Sequence, residues 1–363
     1  MIFRKFKKLI KESRREIFLE ERERGVMRSE ILDFMKNHPV ILLKPQSFLY
    51  IFKYSSIRYS SAFAALSLVI IFGVSSAANN ALPGDVLYNV KVGVNEKVLG
   101  LLQVSDESKA QYEIKLTETR LEEIEKVSSK DNLDEKAKDD FVLLLNKSIK
   151  KVQNYSLSIE NNNNPELSLK INSELEASLN AHKEILSEIS KEKENEKDSS
   201  VSDNIRGLLS NVNDNISKVQ KNRQGSEDNV FAKSSTDVKE SAEGKLKAVE
   251  NKVNEVSNFI EKNKDLMGEE SYDSAKANLD LAKSTIEDGK NDLDAENYNS
   301  AFLKFQKAMR IAQETHISVK GSIDFKINVP KVKESDKVYE DDEIRSKEGE
   351  INTDQPIHSK GMW

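Results

Sequence analysis

Residues 61–78 read SAFAALSLVIIFGVSSAA, an uncharged stretch that divides the chain into two parts of different composition. At about 1.5 Å per helical residue, its length approaches the roughly 30 Å hydrocarbon core of a lipid bilayer. We therefore predict a single transmembrane helix at Ser61–Ala78, with the folded bulk of the protein following it.

The charge of the chain is distributed unevenly about this stretch. Met1–Ser60 contains 14 Lys and Arg against 7 Asp and Glu, a net charge of +7, whereas the whole chain of 363 residues carries −6. The residues after Ser60 therefore carry −13. Basic residues ahead of a membrane segment keep that end in the cytoplasm. We predict a cell-membrane protein with a cytoplasmic N-terminus and an acidic, extracytoplasmic bulk.

A cleaved signal peptide is the main alternative for this stretch. The apolar core Ala62–Val74 is short, and Ser75 with Ala77 resembles a small-residue cleavage site. Signal peptides begin within a few residues of the N-terminus, whereas about sixty residues precede this core. We therefore expect an uncleaved signal anchor.

The cytoplasmic region, residues 1–60, is predicted to form two helices. A basic amphipathic helix at Met1–Arg28 suits a lipid surface, a cytosolic protein or a nucleic acid. Membrane lipid is the simplest partner because the chain is tethered there, and five Glu residues between positions 12 and 23 argue against nucleic acid. A second helix is expected at Arg28–Asn37, capped by Ser29 and ended by Pro39.

Directly after the predicted span, residues 81–98 read ALPGDVLYNVKVGVNEKV. Pro83 and Gly84 indicate a turn, and Asp85 is suited to cap the helix that follows. Val90, Val94 and Val98 lie four positions apart on one face of that helix, and Leu101 and Leu102 extend the face.

Another helix is predicted to begin at Ser105, where the sequence reads SDESKAQYEIKLTETRLEEIEK to Lys126. Its apolar stripe alternates steps of four and three, the period of a helix that packs on a partner helix. The stripe consists of Ala110, Ile114, Thr117, Leu121, Ile124 and either Val127 or Ser128.

These two segments resemble the bacterial family catalogued as domain of unknown function 5667. In that family a membrane segment precedes an A-L-P-G-D-x-L-Y-x-x-K start and a helix that ends R-L-x-E-A-E. The first motif is matched by Ala81, Leu82, Pro83, Gly84, Asp85, Leu87, Tyr88 and Lys91. The second is matched by Arg120, Leu121, Glu122, Glu123 and Glu125, with Ile124 in place of the usual Ala.

The resemblance covers roughly residues 80–190 and implies a topology and a helical fold. Members often pair a short cytoplasmic segment with this extracytoplasmic domain, as membrane-bound anti-sigma regulators do. No catalytic activity or cofactor comes with the resemblance. We accordingly predict an extracytoplasmic helical domain at residues 80–220.

Three further helices are expected in that domain, at residues 134–160, 165–189 and 201–219. In the first of them the apolar stripe runs through Phe141, Leu144 and Val152. His182 lies on the apolar face of the second helix, and we expect it to be packed and bonded to a helix neighbour rather than to a metal. The charge run at 191–200 suits a linker or a solvated helix end.

Residues 221–235 are polar and lack an apolar stripe, so we predict a flexible linker there between two independently folding domains. The second helical domain is expected at residues 236–321, with one helix ending at Gly268 and the next at 269–288. The tail, residues 322–363, is predicted to be disordered apart from one short strand through Phe325, Ile327 and Val329.

The segment LDAENYNSAFLKFQKAMRIA, residues 293–312, looks like the second helix of a tetratricopeptide hairpin. The positions that carry this resemblance are Asn297, Tyr298, Ala301, Phe305 and Ala308. A single such unit cannot bury its own face, so it must stack on the helix that begins near Thr236. An ordinary three-helix bundle fits the same pattern.

The sequence lacks the motifs of the common catalytic sites, including a phosphate-cradling Gly loop, His-Glu-x-x-His and Gly-x-Ser-x-Gly. It contains no Cys, which excludes disulfide bonds and thiolate metal sites, and its 4 His are scattered. We therefore predict a non-enzyme with no catalytic, cofactor-binding or metal site and no small-molecule substrate.

Together these patterns predict an all-α protein, with a single transmembrane helix followed by two antiparallel helical-bundle or hairpin domains. The function that suits this organisation is sensing or scaffolding at the bacterial envelope, through helical contacts with a protein partner that the sequence does not identify. An anti-sigma-like relay to the cytoplasm would be its regulatory form. A passive envelope spacer or a secreted, coiled-coil-like adhesin is the alternative.

Overall fold

In the computed structural model the chain forms two separate compact units, Met1–Phe72 and Gly73–Trp363. The structure describes residues 20–37, 73–195 and 199–332. Within these ranges every regular element is a helix, which confirms the predicted all-α class.

The described part of the first unit is helix α1, Glu21–Asn37. It runs across the boundary that was predicted at Arg28. Ser29 lies inside this helix, and its Oγ donates a hydrogen bond to the Val26 carbonyl at 2.7 Å. The prediction that Ser29 caps a second helix is therefore wrong. The rest of the predicted basic helix, residues 1–19, and Pro39 lie outside the described residues.

No helix among the described residues is long and apolar enough to cross a membrane. The predicted span at 61–78 lies largely outside them, because the structure describes only its last part, where residues 73–78 are helical.

The second unit begins with that helical end, a tight turn and a short helical segment that we call the 88–101 segment. Its parts are α2 (Tyr88–Val90), a π-helical turn (Lys91–Asn95) and α3 (Glu96–Leu101). The long helices that follow are α4 (Asp106–Ser129), α5 (Glu135–Asn161), α6 (Pro165–Asn195), α7 (Ser199–Phe231), α8 (Ser235–Lys262), α9 (Glu269–Asp294) and α10 (Tyr298–Phe325).

Helix α6 is the centre of this unit, because it packs against α4, α5, α7 and α10. Between residues 171 and 182 all but two of its side chains are buried. A helix buried on every side is usually apolar all round. The buried positions of α6 nevertheless include Asn172, Glu176 and His182, each of which needs a hydrogen-bond partner.

Two hydrophobic cores lie on either side of α6. The first is formed by α4, α5, α6 and α7, with Leu121, Phe141 and Leu175 fully enclosed. The second is formed mainly by α8, α9 and α10, and Leu169 of α6 also belongs to it. The helices α8 to α10 pack against one another as a three-helix bundle. The tetratricopeptide resemblance stays a prediction.

The predicted linker at 221–235 is for most of its length a helix, because α7 continues to Phe231. Arg223, Ser226 and Val230 are buried, so this part of α7 also packs against the rest of the unit. The interpretation of the segment as a flexible linker is therefore wrong. The independent folding of residues 236–321 stays a prediction.

The ends of the last helices also differ from the predicted ones. Helix α8 ends at Lys262, where the side-chain amide of Asn263 donates to the Phe259 carbonyl at 2.8 Å, and a 3-10 turn follows. Gly268 precedes α9 as its N-cap instead of ending α8. Helix α10 continues through Phe325, four residues into the predicted tail.

After α10, residues 326–332 form neither helix nor strand, and several of them bond to α9. The Asn278 side chain donates to the Pro330 carbonyl and accepts from the Val332 amide, both at 3.0 Å. Ser271 accepts from the Val329 amide at 3.1 Å, and Val329 is buried in the second core. The order at 326–332 contradicts the predicted disorder, and residues 333–363 lie outside the described ones.

A buried charge cluster joins the two cores where α6, α7 and α10 meet. Glu176 of α6 is fully buried and accepts from the Arg223 guanidinium of α7 at 2.5 Å. Arg310 of α10 lies 3.7 Å from the same carboxylate. Glu314 of α10 is also buried there, and its Oε2 has no hydrogen-bond partner within the described part of the chain.

Burial raises the pKa of Glu314 to about 7, and the nearby Arg310 only partly offsets this effect. The folded state therefore holds a proton that the unfolded state has lost between about pH 4.5 and 7. The free energy of unfolding should consequently fall as the pH rises through this window, by up to about 3 kcal/mol.

We expect Glu314→Gln to remove this loss, because the amide cannot ionise. Urea unfolding should show a variant as stable as the wild type near pH 4.5 and more stable by up to about 3 kcal/mol near pH 8. The control Glu287→Gln replaces an exposed carboxylate and should change stability by less than about 0.5 kcal/mol at both pH values. A pH-independent effect of Glu314→Gln would contradict the assignment.

Candidate functional site

The residues of the first family motif form the turn that leads into the 88–101 segment. Gly84 adopts φ +96°, a conformation that favours glycine. The Asp85 carboxylate accepts the backbone N–H of Leu82 at 2.7 Å, across this turn. No side-chain bond caps α2, so Asp85 stabilises the turn and does not have the predicted capping role.

Two further motif residues, Tyr88 and Lys91, are buried against α4. The Tyr88 hydroxyl donates to Glu123 Oε2 at 2.8 Å, and Lys91 Nζ lies 2.5 Å from Glu123 Oε1. Lys91 also donates to the Ala81 carbonyl at 3.2 Å, which ties the start of the motif to its end. Ala81 itself is buried, Pro83 beside it is buried, and Leu82 and Leu87 are half-buried.

Arg120 of α4 completes this buried network. Its guanidinium donates to both oxygens of Glu123, at 3.1 and 3.0 Å, and also pairs with Glu96 of α3. The Tyr88 ring lies 5.5 Å from the Arg120 guanidinium carbon. Burial, followed by the Glu123 carboxylate, raises the pKa of Tyr88, so its hydroxyl remains a donor throughout the physiological range.

The structure thus brings the two motifs together, although 35 residues separate Tyr88 from Glu123. Arg120 and Glu123 contribute their charges to the network, while Leu121 and Ile124 face the first core. Glu122 points to the other side of α4 and pairs with Lys320 of α10 at 2.6 Å. The role of Glu96 was missed in the sequence, because a lone Glu in an apolar helix carries no motif.

The network continues toward the predicted membrane segment. The Asn95 amide donates to the Ser75 carbonyl at 2.7 Å and to Asn79 Oδ1 at 2.8 Å. The Tyr112 hydroxyl of α4 donates to the Glu96 carbonyl at 2.7 Å. Residues 73–79 are therefore bonded directly to the helical unit. We use the term junction for these bonds of Asn95 together with the buried network of Tyr88, Lys91, Glu96, Arg120 and Glu123.

A cleft of about 1010 Å³ opens between α4, α6 and α10. His182 and Glu125 lie at its base, and their Nδ1 and Oε1 atoms are 2.7 Å apart. Glu118, Glu122 and Lys320 line its walls. His182 is buried as the sequence predicts, but its partner belongs to another helix.

Burial alone would lower the pKa of His182, but the adjacent Glu125 carboxylate outweighs burial and raises it. Burial raises the pKa of Glu118 at the same cleft. In Glu122 the ion pair with Lys320 overcomes burial and lowers the pKa. These groups form pairs across helix boundaries, and the described residues contain no group of three His, Asp or Glu that could hold a metal ion.

Comparisons with known proteins found no matching family model, no similar curated protein and no similar solved structure. The resemblance to the family of unknown function therefore depends on the quoted motif residues and stays a prediction.

The junction predicts a large difference between two Arg→Met variants. In Arg120→Met the buried carboxylates of Glu123 and Glu96 lose a partner, which should cost about 3–5 kcal/mol. Arg206 pairs with Asp203 and Glu194 at an exposed site, so Arg206→Met should cost less than about 1 kcal/mol. Urea unfolding of the two variants measures both values, and similar losses would exclude a structural role for the network.

Proposed function

We propose that this chain is a membrane-anchored, non-enzymatic protein that senses or scaffolds at the bacterial envelope. In this proposal residues 61–78 span the membrane with the N-terminus in the cytoplasm, and the helical unit after them contacts a protein partner outside. Its specific form is a relay to a cytoplasmic protein, of the kind that membrane-bound anti-sigma regulators provide.

The junction is the observation that carries this proposal. Asn95 bonds the last residues of the uncharged stretch to the helical unit, and Lys91 with Tyr88 fastens the same segment to Glu123 of α4. A passive spacer needs only a flexible connection to its membrane segment. A bonded junction instead lets a displacement of α4 reach the membrane segment, as a relay requires.

Helix α1 supplies the second support, because it exposes apolar side chains at helical spacing. Met27, Ile31 and Met35 lie four residues apart and are 46%, 55% and 61% exposed. No residue of α1 is buried. An exposed stripe of this kind is suited to a groove on a partner protein.

We expect the two ends of the chain to lie on opposite sides of the membrane. A reporter that functions only in the cytoplasm should be active when fused before Met1, and one that functions only outside should be active when fused after Val332. This follows from the excess of Lys and Arg before Ser61. Inactivity of both fusions would indicate the opposite orientation. A soluble species beginning near Ala78 would indicate cleavage.

We also expect α1 to bind a cytoplasmic protein through its apolar stripe. In the full chain, Ile31→Ser should abolish co-purification of a specific cytoplasmic protein, because it removes the central apolar anchor. The matched control Glu30→Ser changes the adjacent exposed residue and should leave co-purification intact. If the wild-type chain retains lipid and no protein at this helix, the passive-spacer alternative is supported instead.

A further inference from the structure

An exposed apolar face runs along the 88–101 segment and just beyond it. Val94, Val98 and Leu101 follow one another at steps of four and three, and Leu102 lies four residues after Val98, so these side chains share one side of the segment. Their exposed fractions are 49%, 54%, 84% and 68%, and Val104, just after the helix, is 88% exposed. An exposed apolar patch of this kind usually marks an interaction surface.

The charges of the same segment are directed away from this face. Lys91 is held by Glu123, and Glu96 is held by Arg120, so both are withdrawn into the junction. Between residues 86 and 104, Lys97 is the only exposed charged side chain. A short helix with an apolar face and an exposed Lys has the character of a helix that lies in a lipid interface.

The position of the face also favours a lipid surface. Asn95, in the middle of the segment, donates to the carbonyl of Ser75, one of the last residues of the uncharged stretch. If that stretch spans the bilayer, Asn95 lies within one side-chain length of the point where the chain leaves it, and Val94 and Val98 lie within one helical turn of Asn95. The apolar phase that an anchored chain meets at this depth is the lipid itself.

We propose that the apolar face of residues 94–104 rests on the outer lipid surface, with Val98 and Leu101 inserted at the boundary of headgroups and acyl chains. This inference rests on the proposed membrane anchoring and extends it, because it assigns the helical unit a contact with lipid as well as a tether. The junction then holds α4 at a defined height above the bilayer.

The test uses the full chain in vesicles of phosphatidylcholine with one third phosphatidylglycerol. The sequence contains no Cys, so Val98→Cys and Leu101→Cys each accept one environment-sensitive fluorophore. The matched control is Leu143→Cys, because Leu143 of α5 is 69% exposed but lies outside the apolar face. Each sample is titrated with a lipid-borne quencher near the headgroups and with aqueous iodide.

A side chain about 5–10 Å into the interface should lose far more of its fluorescence to the lipid quencher than to iodide. We expect this result at residues 98 and 101 and the reverse at 143. Adding Leu101→Glu to the Val98 probe should reduce the lipid quenching, because a carboxylate opposes insertion. Iodide quenching at 98 equal to that at 143 would overturn the inference.

Two other outcomes are also decisive. In each single-probe variant, the fluorophore at 98 or 101 could be shielded from both quenchers and be quenched by the same fluorophore on another copy until the protein is diluted into excess lipid. In that case a second copy covers the face and the inference is wrong. Retention after an alkaline carbonate wash tests the anchor separately. If the lipid quencher acts before the wash but the protein is lost after it, the lipid contact is supported and the anchor is rejected. If the protein is retained but the lipid quencher has no effect, only the lipid contact is rejected.

Discussion

The pairing of polar side chains on a helix that is buried on all sides is the constraint on which the second unit depends. Glu176 of α6 can be enclosed only because Arg223 approaches it from α7 and Arg310 from α10. His182 is enclosed in the same way by Glu125 of α4. Apolar contacts tolerate small shifts between helices, but an ion pair at hydrogen-bond distance does not. Ion pairs at this distance therefore help to set the register of α4 and α7 against α6, and Arg310 adds a longer contact from α10.

The apolar stripe of α4 shows how far the sequence could predict this fold. All six positions of the predicted stripe are buried, because their four-and-three spacing places them on one face. In α5 the same kind of spacing predicts that Leu144 is buried, whereas the structure buries Leu145 and leaves Leu143 exposed. Three consecutive leucines offer three faces, and the choice among them depends on where neighbouring helices lie.

The error at residues 221–235 has a related cause. The buried face of α7 continues beyond Val219 through Arg223, Ser226 and Val230, with steps of four, three and four. Because Arg223 and Ser226 are polar, the apolar residues alone predict that the stripe of α7 ends at Val219. Their burial depends on Glu176 and on the hydroxyl of Ser168, which lie 47 and 58 residues away in sequence.

The first and second motifs could each be recognised in the sequence from neighbouring residues. Their contact at Glu123 could be seen only in the folded structure.

The π-helical turn at Lys91–Asn95 has a consequence for insertions and deletions. Such a turn is equivalent to an α-helix that has received one extra residue. Because the extra residue is absorbed within the turn, the helix after it keeps nearly the orientation of an uninterrupted helix relative to Tyr88, and Glu96 faces Arg120. Removing one residue here would restore α-helical winding and leave that orientation almost unchanged. A one-residue gap at this turn in an alignment of homologues would therefore be compatible with an intact junction.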